Sequence, residues 1–417
     1  MSNSKRTNDL LVIGGGAAGF FAAINAAELQ PGMRITILER GRDVLQKVRI
    51  SGGGRCNVTH AVWTPRELSK YYPRGGRELL GPFTRFCTGD TIEWFERRGV
   101  ELKIEEDGRM FPVTDDSQTI IDCLTRAAKR LNIRVLTQRA VVSLYPPEQA
   151  GQPFKAITRD GNSFYGSKLL VATGSNPKVW DLIGHLGHRI VPPVPSLFTF
   201  NTKDTRLRNL SGVSAPNATV KIPALKMEES GPLLVTHWGK SGPAILKMSA
   251  WGARELHPLD YKFALHVNWL GQKWNPQSAL DRLRELKEEL AKKQIGTYCP
   301  FEFPLRLWKN IIGGASIAES TRWADLNKRQ LHMLADELTR AEFQIAGKST
   351  NKEEFVTAGG VALREVDFKR FASKIFPDLH FAGEILDIDA VTGGFNFQAA
   401  WTGGYLAARA IANISDD

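Results

Sequence analysis

Residues 48–60 read VRISGGGRCNVTH. Three consecutive glycines, Gly52 to Gly54, allow positive φ and a close backbone approach to a bound molecule. An Arg-Cys-Asn triplet follows at once. Arg55 is a cation for an anionic group, and Asn57 can both donate and accept hydrogen bonds. The Cys56 thiol, with an unperturbed pKa of about 8.5, is a candidate acid near neutrality. The competing reading of Cys56 is a small buried side chain, since free cysteine is among the most buried residue types, and packing is the commoner outcome. A second set lies in THWGKSGPAIL, Thr236 to Leu246. There His237 and Lys240 flank a Gly-containing turn and are candidates to face a substrate, although a hydrogen-bonded structural histidine is more frequent. GKSG lacks the upstream glycine spacing of a nucleotide P-loop, which excludes that reading. Arg109 in GRMFP could hold an anionic substrate, while Met110 and Phe111 read as core. Cys87, Cys123 and Cys299 sit in helical or apolar contexts and read as packing. No CxxC pair exists, which argues against a dithiol relay and a zinc site.

Such groups need elements to position them, and these are legible nearest the N-terminus. DLLVIGGGAAGFFAAINAAEL opens with a short apolar strand, Leu10 to Ile13. Gly14, Gly16 and Gly19 then form GxGxxG, and an Ala-rich helical pattern runs through Leu29. A β-branched strand, RITILE, ends at Glu39. Gly14 makes the tight turn, Gly16 admits a pyrophosphate and Gly19 lets helix and strand pack closely. The helix N-terminus at Ala17 and Ala18 offers unpaired N–H groups and a positive dipole end. Glu39 can accept from the ribose hydroxyls of a dinucleotide. Its carboxylate argues against a 2′-phosphate there, an argument that Arg40 and Arg42 soften. At this point NAD and FAD both remain open.

Two distant segments favour FAD. SKLLVATGSNP reads as a buried strand, Leu169 to Ala172, running into Thr173 and Gly174. Near the C-terminus, a strand ending at Ala382 leads to Gly383-Glu384, then Gly393-Gly394 and a long Ala-rich helix from about Asn396. In FAD enzymes of this architecture a late strand delivers an acid to the ribityl chain. The following helix aims its N-terminus at the flavin pyrimidine, where the dipole stabilises negative charge. No second strand–GxGxxG–helix unit follows, so a nicotinamide cofactor is expected only as a transient visitor.

The chain has 417 residues, 42% of them hydrophobic, which is enough for two or three domains. The fold class expected is α/β, a discontinuous Rossmann-type FAD-binding domain with an inserted antiparallel β-barrel and a helical subdomain. Its first part spans 1–193 and its last part 351–417, resuming near Phe355. The Pro-rich stretch Pro192 to Asn201 opens the insertion. Short alternating segments over 194–277 read as the barrel, and 278–350 as the helical part. The latter begins with an amphipathic helix, Ser278 to Gln294, capped by Ser278. No apolar run of 18 residues exists to span a membrane, and no signal peptide is evident. Four scattered cysteines suit a reduced, cytoplasmic protein. Lys and Arg total 55 against 44 acids, a net charge of +11. That balance suits a polyanionic partner, with a solvated basic surface as the plainer reading.

Across GGGAAG (14–19), SGGGRCNVT, GRMFPVT, THWGKSGPAIL and VTAGGV followed by AGEILDIDAVTGGFNFQAAW, the chain resembles the BaiN-like FAD-dependent oxidoreductases along nearly its whole length. The resemblance implies the same domain plan. Members are described as aminoacetone-oxidase-like, as reductases of steroid-like enones and as ribosomal-RNA dihydrouridine synthases. It implies that Gly54, Arg55 and Asn57 lie beside the flavin, that Lys47 belongs to the catalytic set with Cys56 and His237, and that Val141, Phe395 and Asn396 complete the cofactor contacts. The reaction expected is flavin reduction by NAD(P)H, then hydride delivery to an activated C=C, with Cys56 a candidate proton donor. The basic balance tips the substrate toward uridine in 23S ribosomal RNA, which must be accessible or flipped out. The alternatives are a small-molecule enone reductase, an amine oxidase, or a non-enzymatic flavin-binding RNA-associated protein. No metal site is expected.

Overall fold

A computed structural model describes residues 7–149, 151–349 and 356–414. The chain divides into two compact units, one made of Met1–Val194 with Val356–Asp417 and the other of Pro195–Phe355. The expected chain return near Phe355, and the expected boundary at 350–351, lie outside the described residues.

The first unit is built on the five-stranded parallel core of a nine-stranded mixed sheet. The core strands are β1 (Thr7–Ile13), β2 (Ile35–Leu38), β3 (Arg134–Leu136), β4 (Ser163–Val171) and β5 (Leu379–Phe381), in the spatial order β5-β4-β1-β2-β3. β1 lies between β4 and β2, with Leu10 paired to Lys168 on one side and Ile35 on the other. Leu10, Leu11 and Val12 have no exposed surface, as a central strand covered on both faces requires. β5 joins from the C-terminal part of the chain, so this sheet closes only when the end of the polypeptide returns.

Helices α1 (Ala17–Leu29), α2 (Gln46–Gly54) and α3 (Phe395–Ile411) carry the site. α1 is apolar almost all round, ten of its residues being buried, so it belongs inside the unit rather than on its surface. α3 crosses it at small residues. A side chain at Gly404 would put its Cβ 3.0 Å from the Ala18 carbonyl oxygen. An antiparallel hairpin, Val141–Tyr145 with Phe154–Thr158, extends from β4. A small three-stranded sheet, Thr59–His60, Leu102–Ile104 and Arg109–Pro112, packs against α3, where the Thr59 hydroxyl donates to Gln398 Oε1 at 2.6 Å.

The second unit holds a seven-stranded sheet whose neighbouring strands pair antiparallel. Its pairings run from Ala341–Ala346 to Lys348–Ser349, two strands that only Gly347 separates along the chain, and Asn201 N–H donates to the Gly347 carbonyl at 2.9 Å. The helices Pro276–Glu289, Leu305–Gly314 and Lys328–Arg340 do not form a separate body. Leu283, Trp308 and Leu334 share one core with Val220, Leu265 and Phe343 of the strands. The first of these helices is capped by Asn275 rather than Ser278. Asn275 Oδ1 accepts from the Gln277 and Ser278 N–H groups, and Ser278 Oγ accepts from Asn275 N–H. Asn275 wins because Pro276 fills the first helical position, where its missing N–H costs nothing. No helix among the described residues is long and apolar enough to cross a membrane.

Candidate cofactor-binding site

The β1–α1 turn is shaped by contacts that only glycine permits at two positions. Gly14 has φ +111°, and a Cβ there would lie 2.4 Å from the Ala172 carbonyl oxygen. A Cβ on Gly19 would lie 2.1 Å from the Gly14 carbonyl oxygen. Gly16 differs, since a Cβ there meets nothing within 4 Å. Gly16 is the N-cap of α1 and provides no side-chain cap, so no capping side chain satisfies the first N–H groups of the helix, those of Ala17 and Ala18 among them. This is the opening that a pyrophosphate needs.

Glu39 follows β2 and turns its carboxylate back to this mouth. Its Oε2 accepts from Gly15 N–H at 2.8 Å and its Oε1 from Gly41 N–H at 2.7 Å. Each oxygen keeps a further lone pair for a ribose hydroxyl. Arg40 is exposed. The N–H groups of Gln138 and Arg139 donate to the carbonyls of Gly41 and Glu39, both at 2.8 Å, which brings half-buried Val141 to the same flank.

At the other flank three segments converge. Ala172 N–H donates to Ile13 C=O and Ala382 N–H to Val171 C=O, so Thr173-Gly174 and Gly383-Glu384 leave neighbouring strands side by side. Glu384 Oε2 lies 3.9 Å from the Cβ position of Gly174. Lys47 on α2 forms an ion pair with that carboxylate. The Lys47 side chain is 53% exposed and that of Glu384 17%, so the pair stands at an open edge.

The SGGGRCN loop is a kinked end of α2. Ser51 is extended (φ −63°, ψ 149°), while Gly52 and Gly53 are left-handed (φ 57° and 69°). Cys56 is also left-handed at φ 62°, and its N–H donates to the Ser51 carbonyl at 3.0 Å. The side chain has no exposed surface, and burial pushes the thiol up to about 12. The structure therefore corrects the expectation of an accessible acid: Cys56 is sealed inside, and desolvation makes it a poor proton donor. Arg55 also departs from expectation. Its guanidinium is 2.5 Å from Glu105 Oε1 and 3.3 Å from Asp115 Oδ1, over the Phe111 ring at 3.9 Å. Two carboxylates already neutralise the cation that was read as a partner for an anionic group beside the flavin. Arg109 is likewise bound to Glu105 and Asp107.

Asn57 reaches the site through the backbone. With its amide turned to satisfy both ends, Oδ1 accepts from Gly394 N–H at 3.0 Å and Nδ2 donates to the Thr59 carbonyl at 2.9 Å. Gly394 is the N-cap of α3. The Phe395 ring is buried and stacked on Tyr71 at 4.3 Å and His60 at 4.5 Å. Asn396 holds the loop before it by accepting from Ala390 N–H at 3.0 Å. What α3 presents outward is therefore its N-terminal backbone, not these side chains.

The sequence reading missed the residues that hold this helix end. His60 Nδ1 lies 3.0 Å from the Gly393 carbonyl and must donate, because a carbonyl only accepts. The Tyr72 hydroxyl donates to the Phe395 carbonyl at 2.6 Å. Buried Asp389 pairs with Arg74 at the loop leading to Gly393. Their signal was weak, since each partner lies more than 300 residues away along the chain.

The other two candidates belong to the second unit. His237 is exposed in the turn between strands Met227–Val235 and Gly239–Ser241. Lys240 is fully buried with its Nζ 3.1 Å from the Phe343 centroid and no hydrogen-bond partner. Burial lowers its pKa well below the ordinary lysine value. It is a packing residue rather than one facing a substrate. Among the described residues, no group of three His, Cys, Asp or Glu side chains could hold a metal ion.

A Rossmann-type sheet, an α1 without a side-chain cap, an acid at the end of the second strand and a returning C-terminal helix define a flavin-dependent oxidoreductase of the FAD-binding class. The chain belongs to the HI0933-like family, whose Rossmann-domain model matches residues 8–410. It is 28% identical over 415 residues to a ribosomal RNA dihydrouridine synthase of Haemophilus influenzae, covering 96% of this chain and 98% of the relative. It is 26% identical over 430 residues to a 3-dehydro-bile acid delta(4,6)-reductase of Clostridium scindens, covering 97% and 99%. Among solved structures, 3-ketosteroid delta1-dehydrogenase from Sterolibacterium denitrificans shares the fold at a TM-score of 0.51 and 10% identity, over 98% of this chain and all of that one.

Proposed function

We propose that this protein uses FAD and NAD(P)H to reduce an activated C=C bond, with uridine in ribosomal RNA as the substrate class and dihydrouridine as the product. The observation that carries the reading is the convergence of the open α1 N-terminus, Glu39, the Lys47–Glu384 pair and the α3 N-terminus along one edge of the sheet. The residues fit the cofactor: uncapped N–H groups at Gly16 to Ala18 for the pyrophosphate, Glu39 for the adenosine ribose, Glu384 for the ribityl chain, and the α3 dipole for the pyrimidine. FAD supplies the hydride chemistry when bound. This chain's own contribution is to orient the ring, lend positive dipole to it and deliver a proton. Lys47, an ammonium held by Glu384 at an exposed edge, is the proton donor we assign. Cys56 is left to packing.

RNA is favoured over a small enone because of the +11 charge and because a relative over nearly its whole length is named for that reaction. The bile-acid relative keeps the small-molecule reading as the alternative. Two measurements test the proposal. Anaerobic NADPH should bleach a bound yellow flavin, and amines should not. Mass mapping should find a dihydrouridine in ribosomal RNA that disappears in a deletion strain. A colourless protein would overturn the cofactor assignment, and an unchanged RNA profile would overturn the substrate.

A further inference from the structure

The turn between Val235 and Ser241 carries a feature that packing does not explain. Thr236 N–H donates to Gly239 C=O at 2.8 Å, and Gly239 N–H to Thr236 Oγ1 at 3.1 Å. His237 and Trp238 are therefore the two central residues of a tight turn. Positive φ falls at Gly239 (φ 156°) and at neither central residue, so the backbone leaves the choice of side chain at 237 and 238 free. Here they hold an imidazole and an indole. Trp238 is 70% exposed, the most exposed large hydrophobic side chain among the described residues.

The turn is a rigid mount. Thr202 N–H donates to the Trp238 carbonyl at 3.0 Å. Phe200 pairs with Lys240 and Asn201 with Gly239. Gly239 is pressed so closely to this neighbouring strand that a Cβ would lie 2.1 Å from the Phe200 carbonyl oxygen. The indole thus stands in water on a backbone already fixed, and stacking a partner on it requires little further backbone ordering. Exposed Lys203 follows Thr202 beside it. The unit that carries the turn, Pro195–Phe355, has 23 Lys and Arg against 17 Asp and Glu, so its field attracts polyanions.

We infer that the His237–Trp238 turn is a stacking platform for an unpaired nucleobase of single-stranded RNA, with Lys203 beside it for the adjoining phosphate. An aromatic face accepts any base, and a basic surface holds the backbone, which is the usual combination for single-strand binding. The inference rests on the RNA reading above and deepens it by naming an RNA contact outside the dinucleotide-binding unit.

The test uses the FAD-loaded full chain and a fluorescein-labelled, uridine-containing RNA, both single-stranded and annealed to its complement, at one fixed salt concentration. Trp238→Ala should weaken single-strand binding roughly 5- to 100-fold, and Trp238→Phe should restore most of it. Duplex binding, flavin content and melting temperature should match the parent protein. Unchanged single-strand affinity in Trp238→Ala, or an equal loss on the duplex, overturns the stacking platform while leaving the RNA reading intact. A parent protein that binds no RNA overturns both.

Discussion

At the residue scale, Lys47 and Cys56 stand nine positions apart and are opposites in environment. Lys47 is half exposed and held by Glu384. Cys56 is sealed, with its thiol pushed up to about 12 by burial. A general acid must reach its substrate and give up its proton near the working pH, and only Lys47 stands where a substrate can reach it. If the proposed NAD(P)H-driven uridine reduction is the reaction, Lys47→Met should lower its turnover by about 100-fold or more, at unchanged flavin content. Cys56→Ala should keep turnover within about threefold and cost roughly 1–2 kcal/mol of stability by urea unfolding. A large turnover loss in Cys56→Ala with Lys47→Met active would return the proton to the thiol. The types of both residues were legible in the sequence, but their environments were not. Burial of Cys56 depends on a left-handed backbone in a kinked helix end, and the partner of Lys47 lies 337 residues away.

At the element scale, the β1–α1 turn separates glycines that the fold needs from one that the packing leaves free, at the position proposed for the cofactor. A methyl at Gly19 collides with the Gly14 carbonyl, so Gly19→Ala should force strand and helix apart and destabilise by about 1–3 kcal/mol. A methyl at Gly16 meets no protein atom, and its φ of −94° is open to alanine. Gly16→Ala should therefore fold with its urea midpoint unchanged yet lose FAD affinity in a titration of the apoprotein. Full FAD retention in that variant would move the pyrophosphate elsewhere. This strand–turn–helix was legible because every part of it is local: period, glycine spacing and the acid at the end of the second strand. The pinning of α3 was not, because Tyr72, His60 and Arg74 meet their partners only after the C-terminal segment returns to the sheet. Nor was the sharing of one core by strands and helices in the second unit. Amphipathic periodicity shows that a face is buried but not against which partner.

At the scale of the whole molecule, a chain of net charge +11 gains self-repulsion as the pH falls and its carboxylates protonate. The first unit adds a second acid liability. His380 on β5 is fully buried, with Nδ1 3.2 Å from the Arg370 carbonyl and Nε2 without a partner. Burial lowers its pKa to about 3, with the Lys168 and Arg370 charges acting in the same direction. Below about pH 6.5 the unfolded chain protonates this ring while the folded one does not. Its contribution is therefore fully present above pH 6.5 and is lost as the pH falls toward 3. At pH 5 the loss amounts to about 2 kcal/mol relative to pH 7. His188, lowered by burial although Glu365 opposes the shift, acts with the same sign. His380→Leu keeps the volume and removes the titration. Urea unfolding at pH 7 and pH 5 should show a smaller stability loss in this variant than in the parent, reduced but not abolished because His188 remains. Since β5 leads directly into Gly383 and Glu384, flavin release on acidification should shift to lower pH in the same variant. Parallel losses in parent and variant would show that net charge alone sets the acid limit.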